Sequence, residues 1–426
     1  MATSTSHEPD VAATDAVAAE SISRPLKNRF RLSCSCLLNF INGLNDAAPG
    51  ALIPFMERHY SIGYTIVSLI FVGNAVGFIM GAAFLEPLTT KFGRARLLVV
   101  SQTIMTVAYI PILLRAPHPA VVFGFFLTGF AISINIALTN TFCSSLTDSV
   151  RALGAISASY GLGGTIGPLL ATIVASKGVQ SWAWYYTLPL GLAFFSIGFS
   201  AWSFWRYAQE RDSDNTTNID MRTLSSPGPR VQMPTSVTIP KSRTVLLGAS
   251  FIFAYQGAEV SIAGWVVSFL IDSRQADPDT IGFVSSGFWA GITVGRFLMF
   301  VFKSKVNERL FVYLATVGAV VFELLVWLVP NIVGPASSVA IVGLLLGPIY
   351  PCAISLFMQD LPRSQRVKSM GIISALGSSG GAFAPFSTGL LAQEKGSWTL
   401  HPMAIGLFCI MVGCWLGTTS KRKREE

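Results

Sequence analysis

The sequence is poor in charged residues. Of its 426 residues, 51% are hydrophobic and only 12% are charged, which is about half the charged share of an ordinary soluble domain. Mean hydropathy is correspondingly high, at +0.56. So few ionic groups cannot cover the surface of a water-soluble protein of this length. The composition therefore excludes an ordinary soluble protein and indicates a membrane protein.

Groups that carry out catalysis or bind cofactors are also scarce. The four histidines lie in tails or at loop edges, and the six cysteines fall in apolar stretches without metal-ligand spacing. The stretch Gly161-Leu-Gly163-Gly164 lies inside an apolar segment, so it cannot form a phosphate-binding loop. We therefore expect no enzymatic activity, no cofactor and no metal site.

Long apolar windows dominate the rest of the chain. A helix needs roughly 20 mostly apolar residues to cross the bilayer core, and six such windows lie on each side of one polar segment. They fall near 30–54, 64–85, 97–114, 119–144, 154–176 and 182–205, and then near 244–271, 281–302, 309–330, 336–358, 369–392 and 401–419. The predicted fold is an all-α membrane protein with twelve transmembrane helices in two pseudo-symmetric six-helix bundles.

This pattern also predicts how the chain is divided. The bundles occupy 30–205 and 244–419, the segment 206–243 is a polar cytoplasmic linker, and the ends form a disordered tail at 1–29 and a basic tail at 420–426. Of the 30 Lys and Arg residues, 24 fall in the tails, the linker and alternate loops, whereas five fall in the other loops. Basic loops stay on the cytoplasmic side. We therefore expect both termini in the cytoplasm, with the plasma membrane as the host, and no nucleic-acid partner.

The two halves resemble each other at nearly constant offsets. Gly73 and Gly77 in the second window correspond to Gly291 and Gly295 in the eighth. An offset of 217 relates three stretches of the fifth and eleventh windows, namely Gly154-Ala-Ile-Ser-Ala with Gly371-Ile-Ile-Ser-Ala, Gly163-Gly164 with Gly380-Gly381, and Pro168 with Pro385. Two parallel repeats of six helices are the architecture of major facilitator transporters.

Three stretches carry a closer family resemblance. They are Asn42-Gly-Leu-Asn45-Asp46-Ala-Ala-Pro49, Tyr255-Gln256-Gly-Ala-Glu259-Val-Ser-Ile-Ala-Gly-Trp265, and Phe288-Trp289-x-Gly291-x-x-x-Gly295-Arg296. On them the sequence is identified as a member of the major facilitator superfamily over residues 25–420. Within it, the chain resembles a fungal-type member of the fucose–proton symporter and glucose-transporter-like branch. The resemblance implies secondary active transport by alternating access.

The sequence departs from the family pattern in two places. The gating signature after the second window reads Thr90-Lys91-Phe92-Gly93-Arg94, where the family has an acidic residue in place of Thr90. Glu86, one helical turn earlier, is the candidate substitute. The fourth window contains Asn135 and Asn140 but no acid, so a proton relay through carboxylates of the first and fourth helices is not expected.

Charged residues inside the windows are the main candidates for function. A charge at the bilayer centre costs at least about 2.5–3.5 kcal/mol. Asp46 shares a helix face with Asn42 and Pro49, and desolvation favours the protonated form of a buried acid. We predict Asp46 as a proton-coupling site. The alternative is a structural acid that caps broken backbone near Pro49.

Glu259 is the counterpart of Asp46 in the second half. It is predicted to be a second coupling acid or a substrate ligand, or alternatively a tie to Arg296. Arg296 either reaches the membrane interface or pairs with a carboxylate, and Glu323 is expected to join two helices. Predicted substrate-binding residues are Asn42, Asn45, Asn135, Asn140, Tyr255, Gln256, Trp265, Trp289 and Tyr350, and predicted ion-pair or gating residues are Arg296, Lys91, Gly93 and Arg94.

These features predict a proton-coupled transporter of a small sugar-like or metabolite solute. Its partners are the bilayer, the solute and protons, and we expect a monomer. A partial match to an antiporter motif, Gly163-x-x-x-Gly167-Pro168, leaves proton-driven efflux of a metabolite or drug-like compound as one alternative. The other is a membrane sensor or receptor that does not transport.

Overall fold

The computed structural model describes residues 21–22, 25–178, 180–205, 243–302, 307–361, 369, 373 and 376–419. Within these residues the chain forms twelve long helices. They are α1 (Lys27–Tyr60), α2 (Leu69–Phe92), α3 (Arg94–Leu113), α4 (His118–Ser144), α5 (Ser149–Ala175), α6 (Thr187–Ser203), α7 (Arg243–Arg274), α8 (Phe283–Phe302), α9 (Glu308–Leu328), α10 (Val333–Leu346 and Ile349–Asp360), α11 (Gly380–Lys395) and α12 (Leu400–Thr419). Short helices at Tyr64–Val67 and Pro278–Ile281 precede α2 and α8, and 3-10 turns at Ser181–Tyr186 and Ser397–Thr399 precede α6 and α12.

The helices have the length and surface of membrane spans. Nine of those in the described ranges are long and apolar enough to cross a bilayer. Among the other three, α1 has polar residues in its middle, α6 has 17 residues and α11 has 16. Large apolar side chains such as Phe194, Phe297 and Val333 are exposed, which suits contact with lipid rather than water. The predicted fold class of twelve helices in two bundles is confirmed.

Local chemistry explains several helix ends. Gly93 has φ of 74°, a backbone conformation that favours glycine, and it lets the chain turn sharply from α2 into α3. The side chain of Asn307 accepts hydrogen bonds from the backbone N–H groups of Arg309 and Leu310, so it caps the start of α9. The predicted linker 206–243 lies outside the described residues except for Arg243, which begins α7.

Helices α1–α6 and α7–α12 form two bundles with the same internal packing. In the first bundle α1 packs on α5 and α6, α4 packs on α2 and α3, and α3 also packs on α6. Each contact recurs six helices later, so α7 packs on α11 and α12, α10 on α8 and α9, and α9 on α12. The repeat read from the sequence is therefore a repeat of helix packing.

Among the described residues, most of the contact between the long helices of the two bundles comes from three pairs, α1 with α7, α5 with α8, and α2 with α11. Close contacts link Gly50 to Ala263 in the first pair and Ser68 to Gly389 in the third. In the second pair, Thr172 near the C-terminal end of α5 contacts Gly282, which directly precedes α8. These contacts lie toward the ends at which α1 and α7 finish. The bundles are thus joined at that end, hereafter called the closed end.

Candidate functional site

The site lies where α1 and α7 cross. A side chain at Gly50 would collide with the backbone of Ala263, so the two helices approach most closely there. An offset of 213 residues relates Gly50 to Ala263 and also relates Asp46 to Glu259. Each acid therefore lies four residues, or about 6 Å along the helix, before the crossing. The repeat places both carboxyl groups beside the junction of the bundles.

Asp46 is held by neutral groups. The Tyr160 hydroxyl of α5 donates to Oδ2 of Asp46 at 2.8 Å, and the Asn45 side chain donates to Oδ1 at 3.3 Å. The side chain of Asn74 in α2 lies close to the same carboxyl group. Asp46 is half-buried, whereas Asn45 is buried. Among the described residues, no cationic side chain forms an ion pair with Asp46.

Glu259 is held by a cation. One guanidinium nitrogen of Arg296 lies 3.8 Å from the Glu259 carboxylate, and the Arg296 side chain is 30% exposed whereas that of Glu259 is 8% exposed. Arg296 Nε also donates to the Gly347 carbonyl of α10 at 3.4 Å. That carbonyl has no helical partner, since residue 351, four positions on, is a proline without an N–H group. Arg296 therefore adopts the predicted alternative of pairing with Glu259.

Aromatic and amide groups surround the two acids. Gln256 is half-buried in α7, and the buried Tyr255 hydroxyl lies close to both Glu259 and Arg296. The ring of Tyr350 in α10 lies 5.7 Å from that of Tyr255. Trp289 in α8 contacts Tyr160 edge to face at 6.3 Å. Polar groups of both bundles thus face one another across a narrow crevice.

Asn42 and Asn135 belong to a fully buried network inside the first bundle. The Asn135 side-chain oxygen accepts hydrogen bonds from Ser101 at 2.6 Å and from Gln102 at 2.8 Å, and its nitrogen donates to Asn42 at 3.4 Å. In this conformation the network ties α1, α3 and α4 together. Contact of Asn42 or Asn135 with substrate stays a prediction.

Trp265 lies at the closed end. Its indole N–H donates to the Pro385 carbonyl at 2.9 Å, and its ring contacts those of Tyr64 and Phe71 in the first bundle. The Tyr64 hydroxyl also donates to the carboxylate of Asp272 in α7. These aromatic and polar contacts cross the gap between the bundles. Trp265 is buried, and its predicted role as a substrate ligand stays a prediction.

The remaining predicted site residues lie away from the crossing. Asn140, Lys91 and Arg94 are exposed, and Gly93 forms the turn between α2 and α3. Among the described residues, none forms an ion pair with Lys91 or Arg94. Glu86 is exposed as well, so this conformation does not use it as the partner that Thr90 cannot provide.

A second pair of titratable side chains lies inside the second bundle. His401 Nδ1 of α12 is 2.8 Å from the Glu323 carboxylate of α9, and both side chains are buried. His401 lies in the first turn of α12, at the edge of a loop as expected, but its side chain is buried because this turn packs between α7 and α9. Glu323 joins two helices, as its sequence context predicts.

Two contacts that complete the picture were not predicted. Tyr160 has only apolar and small neighbours in the sequence, and its pairing with Asp46 depends on the packing of α5 against α1. Asp272 and Tyr64 are 208 residues apart and meet only when the bundles close. No local sequence signal identifies either contact, because both are long-range consequences of the fold.

Comparison with known proteins agrees with this architecture. The family model of the Major Facilitator Superfamily matches residues 35–385 and 247–426. The chain belongs to the Major Facilitator Superfamily, and it is a multi-pass membrane transporter rather than an enzyme. The family predicted from the sequence is confirmed.

Individual relatives are similar over most of the chain. The "Bypass of stop codon protein 6" of Saccharomyces cerevisiae is 24% identical over 428 residues, which cover 87% of this chain and 82% of that protein. A "Putative glucose/galactose transporter" of Helicobacter pylori is 24% identical over 402 residues, covering 88% and 91%. A solved D-xylose-proton symporter superposes with a TM-score of 0.71 at 10% identity, covering 90% and 97%, which shows a shared fold.

Proposed function

We propose that the protein is a proton-coupled transporter of a small neutral, sugar-like solute and that Asp46 carries the coupling proton. The observation that carries the proposal is the contrast between the two symmetry-related acids. Among the residues that the structure describes, Asp46 contacts only neutral donors, whereas Glu259 is paired with Arg296. An uncompensated carboxylate is costly in a medium that excludes water, and binding a proton removes that cost.

Among the roles that the sequence leaves open for Glu259, its pairing with Arg296 favours a substrate ligand over a second coupling acid. We therefore propose that the Glu259–Arg296 pair presents hydrogen-bonding groups to the solute. In this proposal Asp46 binds the proton, and the Glu259–Arg296 pair binds the solute.

The solute class follows from the balance of charge at the crevice. A self-compensated ion pair does not require a charged ligand. Gln256 and Asn45 offer amide donors and acceptors, and Trp289 and Tyr350 offer aromatic faces; both kinds of group suit a polyhydroxylated ring. The Helicobacter pylori relative, a putative glucose/galactose transporter, supports the same class.

Topology completes the proposal. The distribution of basic residues supports cytoplasmic termini, and the plasma membrane is the proposed host. With that orientation the closed end would face away from the cytoplasm, and we propose that half-buried Asp46 and Arg296 are reached from the cytoplasmic side. A monomer contains both bundles and the complete site.

Transport by purified protein in liposomes tests the proposal. We expect radiolabelled D-glucose, D-galactose or D-xylose to exchange in counterflow and to accumulate against its gradient when a proton gradient is imposed. Asp46→Asn cannot change its charge, so it should abolish accumulation and keep counterflow. Asp279→Asn, at an exposed acid outside the crevice, is the matched control and should behave as wild type.

Each outcome has a distinct meaning. Accumulation by Asp46→Asn at the wild-type level contradicts the assignment of the proton site. Accumulation only with the proton gradient reversed identifies the efflux alternative. The absence of counterflow for all three sugars contradicts the proposed solute class.

A further inference from the structure

We propose that Tyr160 is the positioning residue through which the protonation of Asp46 changes the contact between α5 and α8. The inference rests on the proposed role of Asp46 as proton carrier. Tyr160 stands between the two partners, since its hydroxyl bonds to Asp46 in α1 and its ring rests on Trp289 in α8. It thus touches the proton site and the other bundle with a single side chain.

The surrounding backbone keeps Tyr160 in this position. A side chain at Gly43 would collide with the Tyr160 carbonyl, so α1 and α5 lie in close contact there. On the other side of α5, Gly164 leaves room for the Trp289 ring and Gly161 leaves room for the Thr293 side chain. The α5–α8 contact therefore has little free space, and a shift of the Tyr160 ring must be transmitted to α8.

Other charged or titratable groups also face this pair. Asp46 lies in electrostatic range of Glu259 of α7 and of Tyr109 of α3, and Tyr160 lies in range of Glu259 and of Arg296 of α8. Among these groups, only Tyr160 hydrogen-bonds to Asp46 and contacts the opposite bundle. The neighbours set the electrostatic background, and Tyr160 forms the direct link.

The chemistry of the bond gives the direction of the effect. When Asp46 is ionised, Tyr160 donates a charge-assisted hydrogen bond, which is about twice as strong as a bond between neutral groups. When Asp46 binds a proton, the carboxyl group becomes neutral and acquires its own O–H donor. The bond that draws Tyr160 toward α1 then weakens, so the ring can move with α8 as the bundles rearrange. Proton binding thereby lowers the barrier to reorientation.

Tyr160→Phe removes only the hydroxyl oxygen and tests the link directly. In liposomes with D-glucose or D-galactose, whichever the wild type transports, we expect counterflow within about twofold of wild type and proton-driven accumulation reduced at least tenfold. The pH dependence of counterflow should also flatten, since reorientation no longer responds to Asp46. Tyr186→Phe removes another buried hydroxyl of the first bundle, one without a hydrogen-bond partner among the described residues, and should behave as wild type.

Two results would overturn the inference. One is wild-type accumulation by Tyr160→Phe, and the other is a parallel loss of counterflow and accumulation in folded protein, which indicates a structural role. Trp289→Phe gives a second test that does not depend on the folding of the Tyr160 variant. Because Trp289 is also a proposed solute-binding residue, we expect the counterflow KM to rise and, at saturating solute, proton-driven accumulation to fall. Wild-type accumulation at saturating solute contradicts the link.

The outcomes also separate this inference from the proposed function. If Asp46→Asn accumulates solute normally, the proton site is wrong and the role of Tyr160 falls with it. If Asp46→Asn loses accumulation while Tyr160→Phe retains it, the proton site stands and only the role of Tyr160 is refuted.

Discussion

The two bundles share a packing pattern but differ in how they carry polar groups. In the first bundle the network around Asn135 consists of neutral amides and hydroxyls, and Asp46 forms no ion pair with any cation in the described part of the chain. In the second bundle buried acids are paired, Glu259 with Arg296 and Glu323 with His401. Helix packing has thus been kept between the halves while their electrostatics have diverged.

This difference assigns separate tasks to the halves. A compensated pair keeps its geometry because breaking it would leave a charge in a medium of low dielectric constant. A lone carboxyl group can instead switch between charged and neutral forms with changing proton supply. Under the proposed function, the second bundle is therefore the static side of the site and the first bundle is the responsive side.

The largest effect is expected from leaving Glu259 without its partner. Arg296→Gln leaves the buried Glu259 carboxylate without its cation. Since the guanidinium is partly exposed, we expect the free energy of unfolding to fall by about 2 kcal/mol, which is less than for a fully buried pair. A lowered midpoint of thermal unfolding in detergent measures it. The double variant Glu259→Gln with Arg296→Gln should recover part of the loss. A double variant as unstable as the single one would remove the distinction between paired and unpaired acids.

A smaller effect is expected in the neutral network. Asn135→Ala leaves the Gln102 amide without its acceptor, whereas Ser101 keeps its bond to the Leu98 carbonyl. One unsatisfied buried donor costs roughly 1–2 kcal/mol, again read from thermal unfolding. Asn140→Ala, at an exposed position of the same helix, is the control. Equal shifts for the two variants would show that the network contributes nothing particular to the first bundle.

The smallest effect is expected where the halves meet. Tyr64→Phe removes the solvent-exposed hydrogen bond to Asp272. Loss of this bond should destabilise the closed end by about 1 kcal/mol. That energy corresponds to a roughly fivefold shift toward the state in which the closed end is open. Distances between spin labels at Lys177 and Glu394 report the shift, once the native cysteines are replaced. Tyr60→Phe removes a comparable bond, to the Ala116 carbonyl within the first bundle, and should leave the distances unchanged. An identical response from both variants would contradict a role for Tyr64 in closure.

The fold was predictable because its signals are local or repeated. Apolar windows gave the helices, and the glycine pairs of the second and eighth windows revealed the repeat. Asp46 and Glu259 were identifiable since a charge in an apolar window is costly whatever its neighbours. The partner of Asp46 was not predictable in this way, because Tyr160 becomes significant only through its contact with Asp46.

Burial was harder to predict than position. Asn135 and Asn140 are five residues apart on α4, yet one is fully buried and the other exposed, because one face of α4 packs inside the bundle and the other does not. The last apolar window begins at His401, but the sequence does not show that the rings of Phe269 and Trp327 lie against the His401 ring. Such contacts depend on the mutual rotation of helices, which hydropathy does not specify.

The interruption of α10 has a mechanical consequence. With prolines at 348 and 351, two backbone N–H groups are missing within one turn, and the helix divides into Val333–Leu346 and Ile349–Asp360. A bend at this point breaks few hydrogen bonds, so the second segment can change its direction relative to the first. Because Arg296 Nε donates to the Gly347 carbonyl at this break, such a bend would begin next to the Glu259–Arg296 pair.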